Sequence, residues 1–215
     1  MNNPIAYCIN LDRYPEKFED VCNNFRDILE IIRFPAIDGK LNGISGAKAL
    51  ADTTKNLFNI VLNQENTPYL IIIEDDIYKY KNFDFYWPKI LEFINNNNDW
   101  DFMSLDFLLS LDKPKMEIYN DFLYKVEKSR MTGFMIYNTN FLKKNIEYLR
   151  TCNVFDMTMK HNPSFIQLIP NELIVKQVVD KLSDTRSNNC NTKHYETIYK
   201  ETEKYLKNYS FNNVI

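Results

Sequence analysis

The sequence "YLIIIEDDIYKY", residues 69–80, runs from a short apolar segment directly into three carboxylates, Glu74, Asp75 and Asp76. The segment 69–73 is rich in isoleucine, follows a proline and ends at charged residues, which predicts a short buried β-strand. A buried strand seldom ends in three negative charges unless something positive binds there, because uncompensated charge is costly beside an apolar core. This stretch therefore predicts both a buried strand and a site at its carboxyl end.

The segments on either side alternate between strand-length apolar runs and helical periodicity. They predict an α/β sheet in the first half of the chain and a more mixed arrangement in the second. We expect 122–126 and 133–138 to pair as strands, and Thr139 or Asn140 to cap the helix that follows. Predicted strands cover 5–11, 69–73, 100–106, 122–126, 133–138 and 164–170, and predicted helices cover 13–34, 46–62, 84–94, 139–150 and 193–207.

Composition narrows the possible functions. The chain has 215 residues, 45% of them apolar and 26% charged, with a net charge of −3. This ordinary globular profile argues against a general binder of nucleic acid or anionic membranes. The longest apolar run is too short to span a membrane and the N-terminus lacks signal-peptide features, so we expect a cytoplasmic location. Four scattered cysteines without a CxxC pair indicate free thiols rather than disulfides or a zinc site.

Ligands of open α/β sheets bind at the carboxyl ends of strands. Two predicted strands end in acidic segments, "LIIIEDD" and "INLDR", and the second contributes Asp12 and Arg13. If strand geometry persists, Glu74 and Asp76 point to one side and Asp75 to the other. Oxygen ligands at this spacing suit Mg²⁺ or Mn²⁺, which complete their coordination with phosphate oxygens and water. A solvated acidic turn is the alternative, and these residues alone leave both a nucleotide-sugar transferase and a metal-dependent phosphohydrolase open.

Six motifs within about residues 5–188 carry a family resemblance through their order along the chain. They are "AYCINLDRYPEKFEDV", "FPAIDGK", "LIIIEDDIYKY", "WDFMSLD", "TGFMIYNTNFLKKNIEYL" and "PNELIVKQVVDKLSDTRSN". None of these motifs is specific by itself. Taken in this order, they resemble glycosyltransferase family 25, which includes lipooligosaccharide galactosyltransferases and collagen hydroxylysine galactosyltransferases.

The resemblance implies a GT-A type fold, in which residues 1–215 form one domain with a Rossmann-like mixed sheet flanked by helices. A nucleotide-binding half would cover about 1–110, an acceptor half about 111–192, and a C-terminal helix 193–215. The implied activity is metal-dependent, inverting transfer of a sugar from a nucleotide-sugar donor, generally UDP-linked, to a hydroxyl of a glycan or glycoprotein. Mn²⁺ or Mg²⁺ would neutralise the leaving diphosphate, and a placed carboxylate would accept the acceptor proton.

The resemblance also suggests roles for the residues at the strand ends. Asp76 is the first candidate metal ligand and Glu74 the second. Glu74 or Asp75 alternatively contacts the ribose or a metal-bound water. The nucleotide-binding candidates at the end of the first strand are Asn10, Asp12 and Arg13.

Arg13 has an alternative interpretation, and the remaining candidates lie outside the two acidic strand ends. Arg13 is alternatively a surface residue before a helix, and Asp38 in "AIDGK" is either a turn residue or a substrate contact. Asp156 in "NVFDMTM" matches the family aspartate after the Gly-x-x-x-Tyr unit and is the candidate general base, with a helix N-cap as the alternative. Asp184 in "KLSDTRSN" would complete the metal shell or hold the sugar, and it is the second catalytic candidate, next in line after Asp156 as general base. Arg186 beside it binds a phosphate in bidentate fashion or faces solvent.

One departure from the family pattern concerns the helix before the acidic strand. The family usually carries Gly-Cys-x-x-Ser-His there, whereas this chain reads "GAKALAD" at 46–52, with Leu50 and Ala51 in place of Ser and His. The difference puts the donor in doubt. It leaves open a non-catalytic protein that binds a nucleotide sugar or a glycan, while the phosphohydrolase is supported by the acids but not by the later motifs.

Overall fold

A computed structural model describes residues 3–63, 67–109, 114–178 and 192–213 of the chain, with backbone alone at 192–193 and 211–213. Two sheets lie within this part of the chain, one of eight strands and one of two. The strands are β1 (Ile5–Asn10), β2 (Glu30–Pro35), β3 (Tyr69–Glu74), β4 (Ile77–Lys79), β5 (Phe102–Ser104), β6 (Met116–Ile118), β7 (Leu123–Val126), β8 (Phe134–Asn138), β9 (Gln167–Pro170) and β10 (Val175–Gln177).

The large sheet has the strand order β2-β1-β3-β8-β5-β9-β7-β6 and mixes parallel and antiparallel pairs. Strands β2, β1 and β3 are parallel, β8 is antiparallel to both β3 and β5, and β9 is parallel to β5. The carboxyl ends of β1, β3 and β5 therefore lie at the same edge, where β8 begins. The small sheet pairs β4 with β10 in antiparallel fashion.

Helices pack on both faces of the large sheet. In β3, Ile71 and Ile73 belong to a core cluster with α1 and α4, whereas Leu70 and Ile72 belong to a cluster with α3 and α5. Side chains of one strand thus alternate between two apolar layers. The predicted α/β fold, a Rossmann-like mixed sheet flanked by helices, is confirmed. The helices are α1 (Pro15–Phe25), α2 (Gly39–Asn42), α3 (Gly46–Leu62), α4 (Phe83–Asn96), α5 (Thr139–Thr151), α6 (Phe155–Thr158) and α7 (Thr192–Asn213).

The predicted helix over 13–34 is wrong in its second half. Helix α1 ends at Phe25, whose carbonyl accepts hydrogen bonds from the amides of Ile28 and Leu29, and β2 starts at Glu30. The run "EIIRFP" at 30–35 is short and β-branched, and it pairs in parallel with β1. Its apolar residues also fit a helical stripe, so periodicity alone did not separate the two structures.

Two further local predictions are wrong. Strands β7 and β8 do not pair with each other, because β7 lies between β6 and β9 whereas β8 lies between β3 and β5. Helix α5 is capped by Asn138, whose side-chain oxygen accepts from the amide of Asn140, rather than by Thr139 or Asn140 itself. Strand pairing depends on long-range packing, which a short apolar run does not encode.

The predicted C-terminal helix is confirmed as α7, which extends beyond the range 193–207 predicted from helical periodicity. Its apolar stripe packs against a third core cluster that includes Leu108, Tyr124 and Ile169, and Tyr199 and Leu206 are buried there. Among the described residues, no helix is long and apolar enough to cross a membrane.

Candidate functional site

The candidate site lies at the edge of the large sheet where β1, β3 and β5 end and β8 begins. This edge brings together Asn10 from β1, Glu74 from β3 and Thr132, which lies two residues before β8. Asp106, two residues beyond β5, reaches the same place. Polar side chains from four neighbouring strands thus meet where α/β sheets usually bind ligands.

Asn10 connects the end of β1 to the acidic segment. Its side-chain amide donates to Asp75 Oδ2 at 2.7 Å and to the carbonyl of Tyr14 at 2.8 Å. Its Oδ1 accepts from Arg33 Nε at 2.7 Å, and the same guanidinium donates to Asp12 Oδ1 at 2.7 Å. Because Arg33 accepts no hydrogen bond, it fixes which end of the Asn10 amide faces Asp75. Asn10 therefore orients an acidic side chain of the site.

Arg13 forms an ion pair with Asp38. Asp38 caps α2, since its Oδ1 accepts from the amide of Lys40 at 2.9 Å and from that of Leu41 at 3.3 Å. The structure thus gives Asp38 the turn geometry that the sequence offered as one alternative. Nucleotide binding by Asp12, Arg13 and Asp38 stays a prediction.

The three acidic residues Glu74–Asp76 do not all continue the strand β3. The strand ends at Glu74, and Asp75 and Asp76 form a turn before β4. Asp75 reaches Asn10 on one side, whereas Glu74 Oε1 accepts from Thr132 Oγ1 at 2.7 Å on the other. Asp76 is buried, with 8% of its surface exposed.

The carboxylates at this edge influence one another. Burial raises the pKa of Glu74 to about 8, and the charges of Asp76, Asp106 and Asp75 add to this effect, while the hydrogen bond from Thr132 opposes it. Burial also raises the pKa of Asp75, against the opposing charge of nearby Lys17. Burial is thus the main reason why these carboxyl groups retain their protons, and the neighbouring carboxylates add to the effect at Glu74.

Asp106 was not among the candidates taken from the sequence. It is fully buried, and its Oδ1 accepts from the Tyr199 hydroxyl at 2.8 Å. A Cβ on Gly133 would lie 2.5 Å from its Oδ2, so only glycine allows this approach. The sequence contains a signal for Asp106, because "FMSLD" places an acid after a buried strand as "LIIIEDD" does. The prediction made from this segment, however, covers only a strand.

Lys160 is another residue that sequence reasoning missed. Only 1% of it is exposed, and burial lowers its pKa to about 7, although the charges of Asp156, Asp106 and Glu74 favour the ammonium. It lies in the polar segment "MTMKHNPS", in which nothing distinguishes this lysine from a surface residue. The structure thus places Lys160 close to the carboxylates, a position that the sequence alone does not predict.

Two adjoining cavities open at this edge and share part of their lining, including Glu74 and Leu50. The small cavity, of about 80 Å³, also has Lys17, Asp75 and Asp76 in its wall. Lys17 is largely buried and its ammonium lies 4.8 Å from the centre of the Tyr14 ring. The small cavity therefore combines carboxylates with a cation that the sequence did not single out.

The large cavity, of about 300 Å³, is lined by Glu74, Thr132 and Asp156 on its polar side. Asp156 is half-buried in the first turn of α6, whose N-cap is Val154, so it is not the cap that the sequence offered as an alternative. The role of Asp156 as general base stays a prediction. The other two candidates, Asp184 and Arg186, lie outside the described residues.

The departure from the family pattern falls within this site. Leu50 lines both cavities and Ala51 lines the large one. The side chains of Leu50 and Ala51 can form no hydrogen bond to a ligand, whereas Ser and His at these positions could. The substitution therefore bears directly on which ligand fits.

No group of three or more His, Cys, Asp or Glu side chains is arranged to hold a metal ion within the described ranges. Mg²⁺ and Mn²⁺ at phosphate sites need only one or two protein carboxylates. The residues present fit such an ion, because Glu74, Asp75 and Asp76 bring three carboxylates to one cavity wall. Hard oxygen ligands of this kind suit either ion.

Comparisons with known proteins leave the family open. No protein-family model and no curated protein matches the chain. Among solved structures, A197 from STIV is 11% identical with a TM-score of 0.43, covering 78% of this chain and 81% of that one. HddC from Yersinia pseudotuberculosis is 12% identical with a TM-score of 0.36, covering 77% of this chain and 67% of that one.

A third solved structure is the inositol-1-phosphate CTP transferase from T. maritima. It is 13% identical with a TM-score of 0.40, covering 91% of this chain and 76% of that one. These identities and TM-scores are too low to carry any part of the functional argument. Membership of glycosyltransferase family 25 therefore stays a prediction.

Proposed function

We propose that this chain is a metal-dependent glycosyltransferase that moves a sugar from a nucleotide-sugar donor, with UDP as the first candidate nucleotide, to a hydroxyl of a glycan or glycoprotein. The observation that carries the proposal is the position of Glu74, Asp75 and Asp76 at the carboxyl edge of the sheet, where all three line the small cavity and Glu74 also lines the large one. A donor of this class joins phosphates to a sugar, and the two adjoining cavities provide a place for a phosphate and a place for the sugar.

In this proposal the small cavity, of about 80 Å³, holds a phosphate of the donor. Lys17 would neutralise phosphate charge, and Asn10 would keep Asp75 turned toward the cavity through their 2.7 Å hydrogen bond. Arg13 would reach the phosphates by exchanging its ion pair with Asp38 for one with the ligand. Each of these groups lies at or beside the end of β1, where nucleotides bind in α/β sheets.

Glu74 and Asp76 would hold Mn²⁺ or Mg²⁺, which supplies charge neutralisation for the leaving diphosphate. The large cavity would hold the transferred sugar and the acceptor hydroxyl. Asp156 lines that cavity, outside the acidic segment Glu74–Asp76, and would accept the proton of the attacking hydroxyl. Attack from the face opposite the leaving group would invert the anomeric centre.

The proposal is tested first by binding. Calorimetric titration of the metal-free protein with UDP, and then with a panel of UDP- and GDP-sugars, should show affinity that increases when Mn²⁺ is added. Donor hydrolysis and transfer to an acceptor glycan are then measured with the best binder. Absence of Mn²⁺-dependent binding for every nucleotide tested would refute the proposal.

A second candidate is a non-catalytic protein that binds a nucleotide sugar or a glycan, which is favoured by the apolar Leu50 and Ala51 in the cavity wall. Mn²⁺-dependent binding without donor hydrolysis or transfer would support this candidate over the enzyme. A phosphohydrolase would instead release inorganic phosphate from a nucleotide or sugar phosphate, which the same samples can report.

A further inference from the structure

Lys160 uses its buried ammonium to join two chain segments behind the large cavity. Its Nζ donates to Ser104 Oγ at 2.9 Å, to the carbonyl of Arg130 at 3.1 Å and to the carbonyl of Met131 through a short bond. An ammonium has three N–H donors, so these three acceptors use all of them. The lysine therefore holds the backbone at 130–131 against the last residue of β5.

Met131 has an unusual backbone conformation, with a φ of 75°. In the described part of the chain the other non-glycine residue with positive φ is Asn82, a residue type that tolerates this region. For a residue such as methionine the left-handed conformation is strained and persists only where the surroundings impose it. Lys160 donates to the carbonyls of both Arg130 and Met131, which belong to the two peptide groups that flank the backbone torsions of Met131.

The residues after Met131 form part of the cavity wall. Thr132 donates to Glu74 at 2.7 Å, and the carbonyl of Gly133 accepts from the Glu74 amide at 2.8 Å. On the other side of Lys160, the Ser104 hydroxyl donates to the carbonyl of Asp106 at 2.7 Å. A single buried cation thus supports the two loops that bear Thr132 and Asp106.

A second contact connects the same loops. Leu108 and Arg130 exchange both backbone hydrogen bonds as an isolated bridge, with N–O distances of 3.2 and 2.8 Å. This bridge lies outside the regular strands, so it has no neighbouring ladder to reinforce it. Its protection from solvent exchange therefore reports whether the loops are still joined.

We propose that Lys160 is a positioning residue, whose ammonium imposes the left-handed turn at Met131 and so places the Thr132 hydroxyl on Glu74 at the wall of the large cavity. The inference rests on the proposed function only in assigning that cavity to the transferred sugar. The alternative is that Lys160 merely fills space in the core, in which case its aliphatic stem matters and its three hydrogen bonds do not.

The test is hydrogen exchange on the full chain without any ligand, so its outcome does not depend on whether a nucleotide binds. Lys160→Met keeps the stem and removes all three donors. We expect exchange of the Leu108 and Arg130 amides to accelerate by at least about ten-fold while amides of the β3–β8 ladder change little. If Lys160→Met does not fold, Lys160→Gln, which keeps two N–H donors, replaces it; failure of both to fold would overturn the positioning role.

Rescue separates the imposed turn from simple packing. Adding Met131→Gly to Lys160→Met should recover most of the lost protection, because glycine adopts positive φ without strain. The matched control Met131→Ala, which also removes the side chain but keeps Cβ, should recover none. Three results would overturn the inference. The first is equal exchange in Lys160→Met and the parent, and the second is an equal effect of Met131→Gly and Met131→Ala. The third is a crystal structure of Lys160→Met in which Met131 is still left-handed and Thr132 still donates to Glu74.

Discussion

Replacing Glu74 by Gln should change how the stability of the metal-free protein depends on pH. The folded-state pKa of Glu74 is about 8, above its ordinary value of 4.5, because of burial and of neighbours such as Asp76. Between these two values the folded protein holds a proton that the unfolded chain has released. The free energy of unfolding therefore falls as pH rises through this window, and the glutamine variant lacks this contribution.

The size of the effect follows from one proton. Over two pH units, from 5 to 7, a difference of one bound proton between the folded and unfolded states changes the free energy of unfolding by at most roughly 2.7 kcal/mol. We expect about 1–2 kcal/mol, because solvent reaches part of the Glu74 carboxylate and screens its neighbours. The range stops at pH 7 because the pKa of Lys160 is lowered to about 7, and above that pH its deprotonation would add an opposite slope.

The assay is urea denaturation in EDTA at pH 5, 6 and 7, followed by fluorescence of the buried Trp87 and Trp100. Glu74→Gln should become more stable relative to the parent as pH rises. The control is Glu92→Gln, which makes the same substitution on the exposed face of α4. A Glu74→Gln difference from the parent that stays constant between pH 5 and 7 would refute the assignment of a raised pKa to Glu74.

Three further predictions concern the proposed function. Asp76→Asn should abolish the Mn²⁺ enhancement of UDP binding, measured by calorimetry, and leave the fold intact. The exposed control Asp121→Asn should keep the Mn²⁺ enhancement. Unchanged enhancement in Asp76→Asn would remove Asp76 from the metal site. Arg13→Ala should weaken UDP binding by roughly 1–3 kcal/mol through loss of a charge-assisted bond, and a complex with the nucleotide far from Arg13 would contradict this. Asp156→Asn should lower transfer by roughly 10²–10⁴-fold and leave donor and Mn²⁺ binding nearly unchanged. Transfer at the parent rate would place the general base elsewhere.

The sequence was sufficient to predict β1, β3 and the acidic segment Glu74–Asp76. Each of these strands is a short apolar run with clear boundaries, and polarity changes sharply where it ends. The segment 30–35 was misassigned because "EIIRFP" continues the apolar stripe of α1, and only the parallel pairing with β1 distinguishes a strand there. The local sequence pattern thus predicted the strands that end in charged residues, but it did not predict β2, which pairs with β1.

Asp106 and Lys160 show two different limits of sequence reasoning. Asp106 follows a buried strand just as Glu74 does, so the rule that found one could have found the other. Lys160 gave no such signal, because its importance comes from being buried against Ser104 and the carbonyls of 130–131. These partners lie 29 to 56 residues away in the sequence, and only the packed structure brings them together.

Helix α7 shows how far apart in the chain the parts of this site lie. Sequence periodicity predicted the helix and its apolar stripe, which suggested packing alone. In the structure its Tyr199 hydroxyl donates to Asp106 and accepts from the amide of Gln177, while Tyr195 reaches the large cavity. A buried carboxylate needs such a donor to stay in place. The helix therefore belongs to the site as much as the strands do, because the position of Asp106 beside Glu74 depends on a hydroxyl supplied 93 residues later.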